Sequence, residues 1–154
     1  MDIQVDVRGL DEIERKLRLL PDRLGNNAMR RALRKGANIV RDAARKNAQK
    51  IDDLKTREQI YKNIAVYGGG RRREKEVGGV MMRVGVRGGA RPTRGDIAAP
   101  GGNTTHWRFI EFGTSEASAK PFMRPAMNST ASQVFNAVAE SATKELDKEL
   151  DKLK

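Results

Sequence analysis

Apolar and polar residues change period several times along this chain, and each change marks an expected element. Ile3, Val5 and Val7 alternate with Asp2, Gln4, Asp6 and Arg8, the period of a half-buried strand that ends at Gly9. Leu10, Ile13, Leu17 and Leu20 then recur at helical spacing up to Pro21, which predicts a short amphipathic helix. Asp22 can cap a longer helix over about 23–50. There Met29, Leu33, Val40, Ala44 and Ile51 share one arc, widened by Ala28, Ala32, Ile39 and Ala43. Most of these side chains are small, so a neighbour can approach closely.

The helical pattern breaks at Asp52, and Thr56 can cap a short turn around Gln59–Asn63. Ile64 and Val66, flanked by Tyr61 and Tyr67, read as a strand, and Val80, Met82, Val84 and Val86 as another. Between them Gly68–Gly79 reads as the long, flexible, basic tip of a hairpin. Residues 88–103, rich in glycine and holding Pro92 and Pro100, read as a second loop. Phe135, Val138, Ala142, Leu146, Leu150 and Leu153 then place an amphipathic helix from Pro125 to about Leu153. The expected whole is a single α+β domain over 1–154. It has an antiparallel sheet of three or four strands, a long basic helix and a C-terminal helix packed on it, and two protruding basic loops at about 68–79 and 88–103.

Charge adds a second layer. The formal net charge is +11, and the excess is concentrated in residues 23–50 and 69–95. In the first segment Arg23, Arg30, Arg34, Arg41 and Arg45 line one helical arc as a rail; in the second, Arg71, Arg72 and Arg73 are consecutive. Like charges at i,i+4 disfavour a helix by about 0.2–0.5 kcal/mol per pair. Counterions, nucleic-acid phosphates or an acidic surface on an adjacent subunit would each offset that cost. With no cysteine the chain can form neither disulfides nor thiolate sites. No apolar run approaches the length of a membrane span, and no charged-then-apolar leader opens the sequence.

The densest stretch is 106–127, HWRFIEFGTSEASAKPFMRPAM, which holds the only Trp and the only His. Trp107, Phe109, Ile110 and Phe112 bring more apolar mass than any other six residues, and Trp107 and Phe112 read as core anchors. Gly113 falls where a helix C-terminus takes a left-handed residue. Small residues from Thr114 to Ala119 then form a loop. Lys120 and Arg124 each precede a proline, Pro121 and Pro125, and are biased towards extended backbone, which would present Phe122 sideways. Pro125 suits the first turn of the last helix. Glu111 can pair with Arg108 or Arg124, or cap amides of the loop that follows.

Two runs within this stretch, Glu111-Phe112-Gly113-Thr114 behind the aromatic Trp107, and Pro121-Phe122-Met123-Arg124-Pro125-Ala126, resemble the signature of a bacteriophage neck family. These are the tail-completion proteins similar to lambdoid minor tail protein Z. The resemblance implies a structural virion protein, made in the host cytoplasm and located in the neck and tail, that completes the tail and joins it to the head. It implies a homo-oligomeric ring, with six copies as one option, between head-closure and tail-terminator or tail-tube proteins. It brings no catalytic residue, cofactor or metal. The rigid corner set by Gly113, Pro121 and Pro125 would display the 114–120 loop to the next ring.

Nothing in the residue pattern assembles an active site. His106, Glu111, Asp96 and Glu58 lie on different elements, with no nucleophile, no metal-ligand spacing and no phosphate-binding glycine motif. No nucleic-acid-reading module is present either, since there is no zinc-finger spacing and no aromatic residue interleaved with the arginines. The alternative function is a basic protein that binds nucleic acid, phage DNA included, without reading sequence.

Overall fold

The computed structural model describes residues 9–52, 55, 58–87 and 100–154. Its class is α+β, with helices α1 (Leu10–Arg18), α2 (Asp22–Gln49) and α3 (Ile60–Asn63), strand β1 (Ile64–Gly68), helix α4 (Arg71–Val77), strand β2 (Met82–Val86), and helices α5 (Trp107–Phe112) and α6 (Met123–Asp151). β1 and β2 form one two-stranded antiparallel sheet, continued past its end by the Gly69 amide donating to the Met81 carbonyl at 2.9 Å. The described residues hold two strands; the further strand expected at residues 2–8 lies outside them. Most of the loop expected at 88–103 lies outside them as well.

The chain divides into two compact units, which the long helices α2 and α6 each enter. The first comprises the described residues of Met1–Ile39, Gly68–Arg83 and Ala131–Lys154. Its core is built from Ile13, Leu20, Ala28, Ala32, Ala142 and Leu146, with Leu17, Leu24, Met29, Val138, Ala139 and Leu150 packed around them. Small residues at four-residue spacing, Ala28, Ala32 and Gly36, line the buried side of α2 here. A Cβ built on Gly36 would stand 2.5 Å from Val138 Cγ2 and 3.0 Å from Val134 Cγ1, so the helices meet as closely as the small seam permits. At the margin Arg31 donates to Glu145 at 2.5 Å and to the buried Glu149 at 2.6 Å. The guanidinium lowers the pKa of both carboxylates, second to Lys148 at Glu145 and ahead of Lys152 at Glu149.

The second unit comprises the described residues of Val40–Tyr67 and Val84–Thr130. Ala44, Ala48, Ile60, Ile64, Val86, Phe122 and Ala126 form its core, with Trp107, Ile110 and Met123 against it. Thr56 lies outside the described residues. The N-cap position of α3 is Gln59, and the Asp52 carboxylate accepts from the Ile60 and Tyr61 amides at 3.1 and 3.0 Å. Buried Asn63 ties three segments together. It donates to Gly102 O and Thr104 Oγ1, accepts from the Gly101 amide at 2.8 Å, and its carbonyl accepts from the Arg87 amide at 2.9 Å.

The tip at 68–79 is the main local correction: it is not a flexible loop, since Arg71–Val77 are the helix α4. Arg, Glu and Lys are good helix formers, and Arg72 pairs with Glu76 one turn on at 3.0 Å. Gly78 closes the helix at φ 68° and ψ 27°, a left-handed conformation that costs glycine little. Glu74 fastens α4 from outside, accepting from Arg30 Nη2 at 2.6 Å and from the Met81 amide at 3.4 Å. The Arg30 hydrogen bond is the main reason its pKa is lowered.

Candidate interaction corner

α5 is six residues long, and its two sides face different surroundings. Trp107 and Ile110 pack on the core of the second unit, while Phe109 and Phe112 are 63% and 62% exposed. The core-anchor reading of Phe112 is therefore overturned. The aromatic that fills the interior is Phe122, at 0% exposure, just before α6. Trp107 is half-buried, and its Nε1 has no hydrogen-bond partner among the described residues.

Glu111 holds the corner together from within. It is 1% exposed, yet its carboxylate accepts from the amides of Phe122, Met123 and Arg124 at 2.7, 3.0 and 3.0 Å. These are donors left unpaired at the start of α6, where the helix dipole also favours a negative charge. Arg124 Nε adds a bond at 3.2 Å, and its Nη2 donates to the Glu111 carbonyl at 2.8 Å. Burial alone would raise the Glu111 pKa, but the three amides and the guanidinium outweigh it and hold the carboxyl below its usual range. The open pairing thus resolves to Arg124 rather than Arg108, and the capped amides belong to α6 rather than to the 114–120 loop. Arg124 is already helical, so the extended backbone expected before Pro125 is not found there.

Between α5 and α6 the chain makes a pinned excursion. Gly113 has φ 76° and ψ 178°, a region open essentially to glycine alone, not the left-handed helical conformation expected. Its amide donates to Phe109 O at 2.8 Å, and the Lys120 amide returns to Ile110 O at 2.8 Å. Within the loop, Thr114 Oγ1 accepts from the amides of Glu116 and Ala117 at 3.2 and 3.0 Å. Residues 114–120 are all exposed. Around the corner Arg124 lies 5.1 Å from the centroid of the Phe112 ring, Met127 is exposed, and Thr105, His106, Arg108 and Phe109 line a shallow surface hollow. Pro121 and Pro125 frame Phe122, and Pro125 sits in the first turn of α6.

The arginine rail does not act as one surface. Arg45 turns inward to donate to Ile64 O from Nε and Nη2 at 3.0 and 2.8 Å, Arg41 pairs with Asp42 at 2.8 Å, and Arg30 with Glu74. Arg23 and Arg34 are exposed, as are Arg71, Arg72 and Arg73. The sequence pattern did not single out Arg31, because its spacing from Arg34 and Lys35 offers no clue to partners far along the chain on α6. The partners of Asn63 are likewise distant in sequence.

The described residues place no three of His, Cys, Asp and Glu together as a metal-binding set, and no described helix is long and apolar enough to cross a membrane. His106 Nδ1 lies 3.8 Å from a Glu58 carboxylate oxygen, beside the shallow hollow. At this corner two phenylalanines face solvent beside a loop that is hydrogen-bonded to α5 at both ends.

Residues 11–113 match the family described as "Bacteriophage HK97-gp10, putative tail-component", well over half of the chain. The chain belongs to this family. It is a phage tail component, which places it in the virion, and the family is one of structural tail components, not of enzymes. The match includes Trp107, Glu111, Phe112 and Gly113 and stops before Thr114 and the Pro121–Ala126 run. No curated protein and no solved structure matches the chain.

Proposed function

We propose that this tail component completes the tail and joins it to the head as one subunit of a homo-oligomeric ring in the neck. The observation that carries the reading is the corner itself. Two phenylalanines face water beside a loop whose ends are both hydrogen-bonded to α5, and the buried Glu111 locks that corner to α6. Aromatic residues held rigidly at a surface lose little entropy on docking, which suits permanent assembly. Trp107, Glu111, Gly113, Pro121 and Pro125 set the corner. Phe109, Phe112 and Thr114 with its loop meet the neighbouring head-closure and tail-terminator or tail-tube proteins.

Electron microscopy of lysates from a phage lacking this chain tests the reading. Filled heads and separate tails should accumulate, and purified protein should restore joined particles. A Phe109→Ser, Phe112→Ser double variant that keeps its fold should fail to restore them. Intact particles forming without the chain would defeat the joining role.

A further inference from the structure

The first unit carries a basic surface that the corner does not use. α4 is exposed at every residue but Glu74, which turns inward to Arg30 and the Met81 amide. With Glu74 fixed at the base, a helix of about 3.6 residues per turn must fan Arg71, Arg72, Arg73 and Lys75 around its outer sides. Arg72 meets Glu76, while Arg71, Arg73 and Lys75 have no carboxylate partner among the described residues. The tether to Arg30 sets α4 against the rail on α2. Arg23, about two turns before Arg30, and Arg34, one turn after it, are also exposed and unpaired among the described residues. The carboxylates in the neighbourhood are Glu74, already engaged, Glu76, and Asp22, which lines a polar hollow with Asn26, Arg30 and Lys75.

We infer that α4 is a preformed contact for the phosphate backbone of duplex nucleic acid, supported by Arg23 and Arg34. Two features favour phosphate over an acidic protein surface, although guanidinium forks suit both. Val77 is the one large apolar side chain on α4, too little for the apolar centre that a protein interface needs. A single helix, about 10–12 Å across with its side chains, matches a major groove about 12 Å wide. α4 itself carries no aromatic or amide side chain to read bases, so binding is independent of sequence. This inference stands whether or not the chain joins head to tail.

Binding of the purified full-length chain to a duplex of random sequence, measured over a salt series, tests it. For the wild type, log K should fall steeply and linearly with log salt. The Arg71→Ser, Arg72→Ser, Arg73→Ser variant should show a slope shallower by about 2.7, at roughly 0.9 for each phosphate no longer neutralised. The corresponding triple lysine variant should keep the wild-type slope, and circular dichroism should show both folded. An unchanged slope in the folded serine variant overturns the inference, as does a wild type that does not bind duplex at all. Unchanged DNA binding together with failure to associate with a phage protein would assign α4 to an acidic protein partner instead, and would equally overturn it.

Discussion

Glu111 and Arg124 grip each other through two different groups: Arg124 Nε reaches the Glu111 carboxylate at 3.2 Å while Nη2 reaches the Glu111 main-chain carbonyl at 2.8 Å. One side chain thus ties the last turn of α5 to the first turn of α6. The carboxylate also satisfies three amides there. Glu111→Ala should therefore cost about 3 kcal/mol, because amides lose their acceptor in a buried setting. Glu111→Gln, which keeps one acceptor oxygen but no charge, should cost about half as much. Urea unfolding of the two variants checks the order.

Acid should unfold the protein partly through the same carboxylates. The native pKa values of Glu111, Glu145 and Glu149 are all lowered. Below the unfolded value of about 4.3 the unfolded chain therefore binds more protons than the native one. Their contribution is complete above that pH and is lost as pH falls through the lower native values. Glu111→Gln should reduce stability at neutral pH and flatten the acid limb of a plot of melting temperature against pH. An acid limb as steep as that of the wild type would show that Glu111 does not contribute to it.

Gly113→Ala should be costly for two separate reasons. Its backbone at φ 76° and ψ 178° is strained for any residue with a Cβ, and the added carbon would stand 2.8 Å from Ala119 N. A loss of about 2 kcal/mol is expected. Amide exchange should rise across 114–120 while α2 stays protected.

Gly36→Ala sets a gain in helix propensity of about 1 kcal/mol against overpacking of about 1–3 kcal/mol. Valine methyls are stiff, and Val138 Cγ2 would lie 2.5 Å away. Net destabilisation is expected. Val138→Ala should be less harmful in the Gly36→Ala background than alone, and a double-mutant cycle measures the difference.

Glu74→Ala removes the tether of α4 without touching its arginines. Amide exchange over Arg71–Val77 should accelerate, because the remaining support is one i,i+4 pair and a glycine cap. Unchanged protection would mean that the Arg30 contact does not hold the helix.

Local periodicity makes α1, α2, α6 and the two strands legible in the chain itself, since a buried face repeats every 3.6 or two residues whatever lies against it. Asn63 and Arg31 are not legible there, because their partners are brought near only by folding. α4 is hidden for a related reason. A helix exposed on nearly every side has no apolar period, and its glycine flanks look like those of a loop until Glu74 meets Arg30.

The corner divides in the same way. The break at Gly113 and the proline at the head of α6 are properties of the chain, because glycine opens positive φ to its own residue and proline fixes φ at its own. Which aromatics face water is not such a property. In the short helix α5 a rotation decides between Trp107 and Phe112, and the interior place went to Phe122, further along the chain, because Glu111 draws the start of α6 onto the end of α5.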